Sequence, residues 1–260
     1  MVLQNQQRHT CVLWSGGKDS FLAYLLSWRK HGDSCVFVTF VPRTGVFRCH
    51  PLPILASHSQ SFGVPHEFIV IDQENWLDGY NRAFAYLKRR YGIRRVVTGD
   101  ILSGSVSITG SLAFPNSSLS WASWIDSLCG LDVHFEAPLS NLYAEDILEL
   151  LAAYKVEAVI TGLAQEWFTE GLLGKPLSLA LLKSTPLFSN TGFDLCGERG
   201  EYHTTVIRFQ QSIFYAVDPI ALTSSLFKGV WVLDWDARWL DPPLRRIEID
   251  ENRDRHVATA

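Results

Sequence analysis

The sequence predicts an α/β protein: a parallel sheet layered between helices, followed by a smaller C-terminal subdomain. Three observations predict it. Short apolar runs alternate with stretches of helical spacing from Cys11 to Gly162. A Gly-rich turn, Ser15-Gly16-Gly17, joins the first apolar run to the first helical stretch. Beyond Gly162 the pattern shifts to Gly, Pro and short β-like runs.

Cys11-Val12-Leu13-Trp14 reads as a buried strand. From Lys18 the apolar residues Phe21, Leu22, Leu25, Leu26 and Trp28 fall mostly on one helical face, and His31-Gly32-Asp33 stops the helix. Cys35 to Val41 is a Val- and Phe-rich strand. A loop runs from Pro42 to Pro51, and Leu52 to Phe62 is a helix ended by Gly63 and Pro65. Phe68 to Ile71 is a strand, Trp76 to Tyr91 a helix with Leu77, Tyr80, Phe84 and Leu87 in phase, and Arg95 to Gly99 a strand. Tyr143 to Ala153 is a helix and Ala158 to Gly162 a further strand of the same sheet. In such sheets ligands bind beyond the carboxyl ends of the strands, so the loops after Trp14, Val41, Gly99 and Gly162 are expected on one rim. The expected units are residues 10–162, an α/β domain, residues 163–244, a smaller subdomain, and residues 245–260, a solvated tail of mixed charge. Thr204 to Phe209 and Val230 to Leu233 are β-like runs of that subdomain, and Ile101 to Ser120 is a long Ser- and Gly-rich loop.

Composition narrows the function. The 260 residues are 47% hydrophobic and 19% charged, enough for a sizeable core and against a disordered chain. The net charge is −4, a poor balance for coating phosphate backbones, so no direct nucleic-acid partner is expected. No apolar run reaches the roughly 20 residues of a membrane span, and Met1 to His9 lacks a signal-type apolar stretch, so the expected location is cytoplasmic. The cysteines Cys11, Cys35, Cys49, Cys129 and Cys196 contain no C-x-x-C pair and read as free thiols.

The chemistry centres on Ser15-Gly16-Gly17-Lys18-Asp19-Ser20. Adjacent glycines let the backbone approach a ligand, and successive N–H groups at a helix start form an anion cradle. Ser15 and Ser20 add hydroxyls and Lys18 a positive charge, so the turn reads as a phosphate-binding loop. The spacing matches neither G-x-x-x-x-G-K-[ST] nor G-x-G-x-x-G. The plain alternative is a tight turn in which Asp19 or Ser20 only caps the helix.

This hexapeptide resembles the S-G-G-x-D-S hallmark of the PP-loop ATP pyrophosphatases. The resemblance implies an adenine-nucleotide alpha-hydrolase-like domain that cleaves ATP between its α- and β-phosphates. An acceptor oxygen attacks the α-phosphorus, pyrophosphate leaves, and a nucleophile, often ammonia, displaces AMP. It implies Mg²⁺ with the triphosphate, which Asp19 or Asp100 could help hold. Three further stretches resemble the diphthine–ammonia ligase branch. Phe47-Arg48-Cys49-His50-Pro51, running to Gln60 and Gly63-Val64-Pro65, is similar to F-H-x-x-N followed by Q-A-x-x-L-G-I-P, with residues intervening before His50 and no Asn. His50 reads equally as a nucleotide-site histidine or as a loop histidine without a role. Thr169-Glu170-Gly171-Leu172-Leu173-Gly174-Lys175 is similar to [DE]-x-W-L-G-R, with Leu172 for Trp and Lys175 for Arg. Lysine keeps the charge but loses the planar fork. Cys196-Gly197-Glu198-Arg199-Gly200-Glu201-Tyr202-His203-Thr204 resembles G-E-N-G-E-[FY]-H-T, with Arg199 for Asn.

By this resemblance the chain is expected to be a C–N-forming ligase that adenylates a carboxylate and amidates it with ammonia. The implied acceptor is diphthine on elongation factor 2. Ser15, Gly16, Gly17, Lys18, Asp19 and Ser20 are the expected triphosphate ligands, with His50, Gly99 and Asp100 beside them. Lys18, Asp19, Glu198, Glu201 and His203 are the expected catalytic set, the last three facing acceptor or ammonia. Residues 101–131 depart from the branch: its R-x-x-x-E segment is missing, and Asp126 is their only ionised side chain. That departure keeps open a related ligase acting on a small-metabolite carboxylate. A non-catalytic ATP-binding sensor is the alternative from another class. Sulfur or nucleic-acid modification fits poorly, for want of a basic face or a C-x-x-C pair.

Overall fold

A computed structural model describes residues 9–32, 34–43, 49–71, 76–101, 128, 130–169, 171–189, 192–214, 224–233 and 246–249. The expected strand–helix alternation is present. The strands are β1 (Thr10–Leu13), β2 (Cys35–Pro42), β3 (His66–Ile71), β4 (Arg95–Val97) and β5 (His134–Glu136). With them go helices α1 (Lys18–His31), α2 (Leu52–Phe62), α3 (Trp76–Tyr91) and α4 (Ala144–Ala153). Together with β11 (Arg246–Ile247) these strands form a parallel sheet in the order β11-β3-β2-β1-β4-β5.

The two-residue period of the strands sends alternate side chains to two cores. Cys11, Val36, Val38, Ile69 and Val96 pack with Phe84 and Leu87 of α3. Val12, Phe37, Phe68 and Val97 pack with Phe21 and Leu22 of α1, Leu55 of α2 and Leu148 of α4. Helices therefore cover both faces, as a parallel sheet requires. The result is an α/β fold.

The second sheet corrects one expectation. The strand expected over 158–162 is longer, β6 (Val156–Ala164), and it does not extend the parallel sheet. It runs antiparallel to β7 (Tyr202–Phe209) and to β10 (Val230–Leu233), in the order β8-β7-β6-β10-β9, with β8 at Ser212–Ile213 and β9 at Ser224–Phe227. β6 is buried along nearly its whole length, and such a strand shows no alternation by which a parallel neighbourhood could be told from an antiparallel one. Gly162 therefore lies inside a strand of the second sheet, and its loop is no part of the parallel sheet's rim. A helix, α5 (Leu179–Lys183), follows β6.

The two sheets share one core: Ala158, Ile160, Leu163 and Val206 join the α1 side. Four strands were not anticipated: β5, β8, β9 and β11. β5 is three residues long, too short for periodicity, and β11 falls where a solvated tail was expected, yet pairs with β3. The long loop at 102–120, the Phe47-Arg48 part of the second motif, Glu170, Cys129 and residues 250–260 lie outside the described residues.

Candidate functional site

β1 is flanked on both sides, by β2 and β4, and the Ser15–Ser20 turn leaves its carboxyl end. Trp14 N–H donates to Val38 O at 2.8 Å, which carries the strand pairing to the foot of the turn. Gly16 has φ +72°, and a Cβ there would lie 2.6 Å from Leu55 Cδ1, so both conformation and space call for glycine. Ser15 Oγ accepts from Gly17 N–H at 3.3 Å and lies 3.1 Å from Ser20 Oγ, which in turn donates to Gly17 O at 3.2 Å. The turn is thereby tied across its own mouth.

Two neighbours close on it. Gly99 follows β4, and a Cβ on it would lie 2.5 Å from Asp19 C and 2.5 Å from Ser20 N. Backbone meets backbone there, so the 98–101 loop is seated on the first turn of α1. On the other side comes β7: Val206 N–H donates to Gly16 O at 2.9 Å, and Thr204 Oγ1 accepts from Lys18 N–H at 3.1 Å. One N–H of the expected cradle is thus already taken by a hydroxyl of the second sheet, which caps α1 from 186 residues away.

The side chain of Lys18 is placed differently from the phosphate ligand expected. It is 2% exposed. Its Nζ donates to Cys196 O at 2.6 Å and to Asp19 Oδ2 at 2.7 Å, and lies 5.2 Å from the centre of the Tyr202 ring. Burial opposes its charge, but Asp19, Tyr202, Cys196 and Glu198 together hold its pKa above the ordinary lysine value. Lys18 is a buried, paired cation. Burial pushes the Asp19 carboxyl upward against the pull of Lys18. Its Oδ1 is buried with no hydrogen-bond partner among the described residues.

The acidic residues separate into two roles. Glu201 is 3% exposed, and its oxygens accept from Asp194 N–H at 3.1 Å and Arg199 N–H at 3.0 Å. It closes its own loop, which leaves it poorly placed for the proton-accepting role expected of it. Asp194 pins the same loop through Cys196 N–H at 2.7 Å and Gly197 N–H at 3.1 Å, and Tyr202 OH donates to Leu195 O at 2.5 Å. Glu198 instead reaches across, its Oε2 accepting from Ile101 N–H at 3.3 Å. Burial and then Asp19 raise its pKa to about 8, against the pull of Lys18. Asp100 accepts from Thr98 Oγ1. Burial raises it to about 6, and Asp19 adds to the effect against that hydrogen bond.

His50 and His203 meet edge to face at 5.6 Å. Burial and the neighbouring His203 hold His50 down to about 3, and burial and then Lys18 lower His203, so both imidazoles are neutral at pH 7. The preceding residue is anchored to the second sheet, since Cys49 O accepts from Thr161 Oγ1 at 2.8 Å and Thr205 Oγ1 at 2.9 Å. A Cβ on Gly162 would lie 2.8 Å from Cys49 Sγ and 3.1 Å from His203 Cδ2. Gly162 is therefore the gap in β6 that admits this pair. Lys175 lies apart: it is exposed, and its backbone O accepts from Ile160 N–H at 3.1 Å, while Leu172 is core.

Ser15 to Ser20, Gly99, Asp100, Glu198 and His203 are thus brought to one rim, with His50 joined through His203. Sequence reasoning missed Thr161, Asp194 and the carbonyl of Cys196, which carry no motif signal. Thr204 and Tyr202 stood within the quoted motif and could have been singled out. Among the described residues no three His, Cys, Asp or Glu side chains gather as a metal site, and no helix is long and apolar enough to cross a membrane.

No family model matches the chain, and no curated protein matches it significantly. Among solved structures it is similar to a predicted subunit of tRNA methyltransferase from Methanocaldococcus jannaschii, at 17% identity and a TM-score of 0.40, over 79% of this chain and 99% of that one.

Proposed function

We propose that the chain is an ATP-dependent amide ligase that releases AMP and pyrophosphate, of diphthine–ammonia ligase type. The observation that supports this best is the glycine-built turn after β1, pressed between the 98–101 loop and the segment bearing Glu198 and His203. In this reading the remaining backbone N–H groups face the departing pyrophosphate, and the Ser15 and Ser20 hydroxyls brace the turn that presents them. Such fixed dipoles stabilise the charge that builds there at little reorganisation cost. The acceptor carboxylate forms its bond to the α-phosphorus as the bridging oxygen leaves with pyrophosphate. Ammonia then attacks the acyl carbon, and AMP leaves.

Ammonia arrives largely as ammonium at neutral pH and must lose a proton. Glu198, with its pKa raised to about 8, lies close to the working pH for accepting it. The bare Oδ1 of Asp19 fits a magnesium ion, which that carboxylate would help hold, since such ions take one or two carboxylates. Bound there, the ion would offset triphosphate charge.

The second reading is the same chemistry on a small-metabolite carboxylate. It is favoured by residues 101–131, which carry no Arg, Lys or Glu with which to seat a protein-borne acceptor.

The test incubates the protein with α-labelled ATP, ammonium and diphthine-bearing elongation factor 2, or a panel of small carboxylates. AMP is separated by thin-layer chromatography and the factor is weighed. AMP and a mass shift of about one unit are expected. ADP as the product rejects the proposal, and ATP recovered intact under every condition favours a sensor.

A further inference from the structure

We propose that Lys18 is a positioning residue that makes the nucleotide turn and the 194–204 segment one mechanical unit. This deepens the amide-ligase reading and rests on it for its catalytic consequence.

The geometry carries the proposal. Residue 18 touches the 194–204 segment through both backbone and side chain. Its N–H binds Thr204 Oγ1 at 3.1 Å, and its Nζ binds Cys196 O at 2.6 Å and lies 5.2 Å from the centre of the Tyr202 ring. The same Nζ holds Asp19 at 2.7 Å, on the first turn of α1. With 2% exposure and two acceptors at short range, the ammonium is engaged inward and is not presented to a phosphate. Glu198 sits two residues beyond Cys196 and His203 one residue before Thr204, so both candidate proton-handling groups hang from points that Lys18 and its helix hold.

Two consequences distinguish this role from phosphate binding. First, removing the ammonium should detach the 194–202 loop and leave nucleotide affinity nearly intact. Second, binding equilibria that share a strut are reciprocal. Nucleotide at the turn should therefore protect the 194–202 amides from exchange in the parent by the same factor that the strut adds to nucleotide affinity, about threefold at most, and this protection should vanish without the strut.

The test compares the parent with Lys18→Met, using a fluorescent ATP analogue, hydrogen exchange resolved to residues 194–202, and steady-state AMP release. The expected result is an analogue Kd within about threefold of the parent, at least tenfold faster exchange in the loop, and a fall in kcat with little change in KM for ATP. Lys18→Gln, which keeps an N–H donor without the charge, should restore part of the exchange protection. It also carries the comparison if Lys18→Met does not fold. A Kd weakened tenfold or more with unchanged loop exchange overturns the proposal. Exchange is read without nucleotide as well, so a parent that binds no ATP analogue defeats the ligase reading while the strut is still judged by the loop.

Discussion

Replacing Gly99 with alanine tests the seating of the 98–101 loop on α1 directly. The added Cβ would stand 2.5 Å from both Asp19 C and Ser20 N, and 2.9 Å from Asp19 O. These are backbone atoms in the first turn of a helix whose start is bonded to β7, so no rotamer change relieves the overlap. Ordinary contact begins about 1 Å further out, and one backbone must give way by that amount. Overpacking of this kind costs about 1–3 kcal/mol. A 1 Å misplacement near reacting groups costs on the order of 100-fold in rate. The assay is urea unfolding of the parent, Gly99→Ala and Gly130→Ala. A Cβ at the exposed Gly130 meets nothing within 4 Å, so that variant is expected within about 0.5 kcal/mol of the parent. Gly99→Ala should unfold at clearly lower urea and, if the ligase reading holds, release AMP about 100-fold more slowly. Equal midpoints for the two alanine variants would refute the close-contact reasoning.

Two further predictions concern buried charge. Lys18→Met leaves Asp19 and Cys196 O without their donor. Because the Asp19 side chain is about a quarter exposed, the cost is expected at the lower end of the range for broken buried pairs, about 3 kcal/mol, readable as a lowered urea midpoint. Acid should destabilise the fold through His58, whose Nε2 donates to Val206 O at 2.8 Å between Trp14, Phe21 and Phe214. Burial holds it down to about 4 against 6.5 when unfolded, so its contribution is complete above pH 6.5 and is lost as pH falls toward 4. From pH 7 to pH 5 that amounts to about 2 kcal/mol. The raised carboxylates Asp100 and Glu198 contribute with the opposite sign, but they are common to parent and His58→Leu. The variant should therefore lose about 2 kcal/mol less than the parent over this interval, and an equal loss would show that His58 is not the titrating group.

What could be read without coordinates was local. Apolar spacing placed α2 at Leu52–Phe62 and α3 at Trp76–Tyr91, because a helix face is set by residues three and four apart. Two adjacent glycines before a helical run located the turn, since few other uses explain them. Partnership between distant segments was not legible. A fully buried strand such as β6 reads alike in either kind of sheet, so only its ladders with β7 and β10 assign it. The direction of the Lys18 side chain depends on Cys196 and Tyr202, the split between Glu201 and Glu198 on which backbone N–H groups lie nearby, and the need for glycine at 99 and 162 on what packs against them. Residue type and spacing along the chain determine elements and candidate chemistry. Which groups meet, which stay charged and which are left bare depends on burial and on neighbours that only the folded chain supplies.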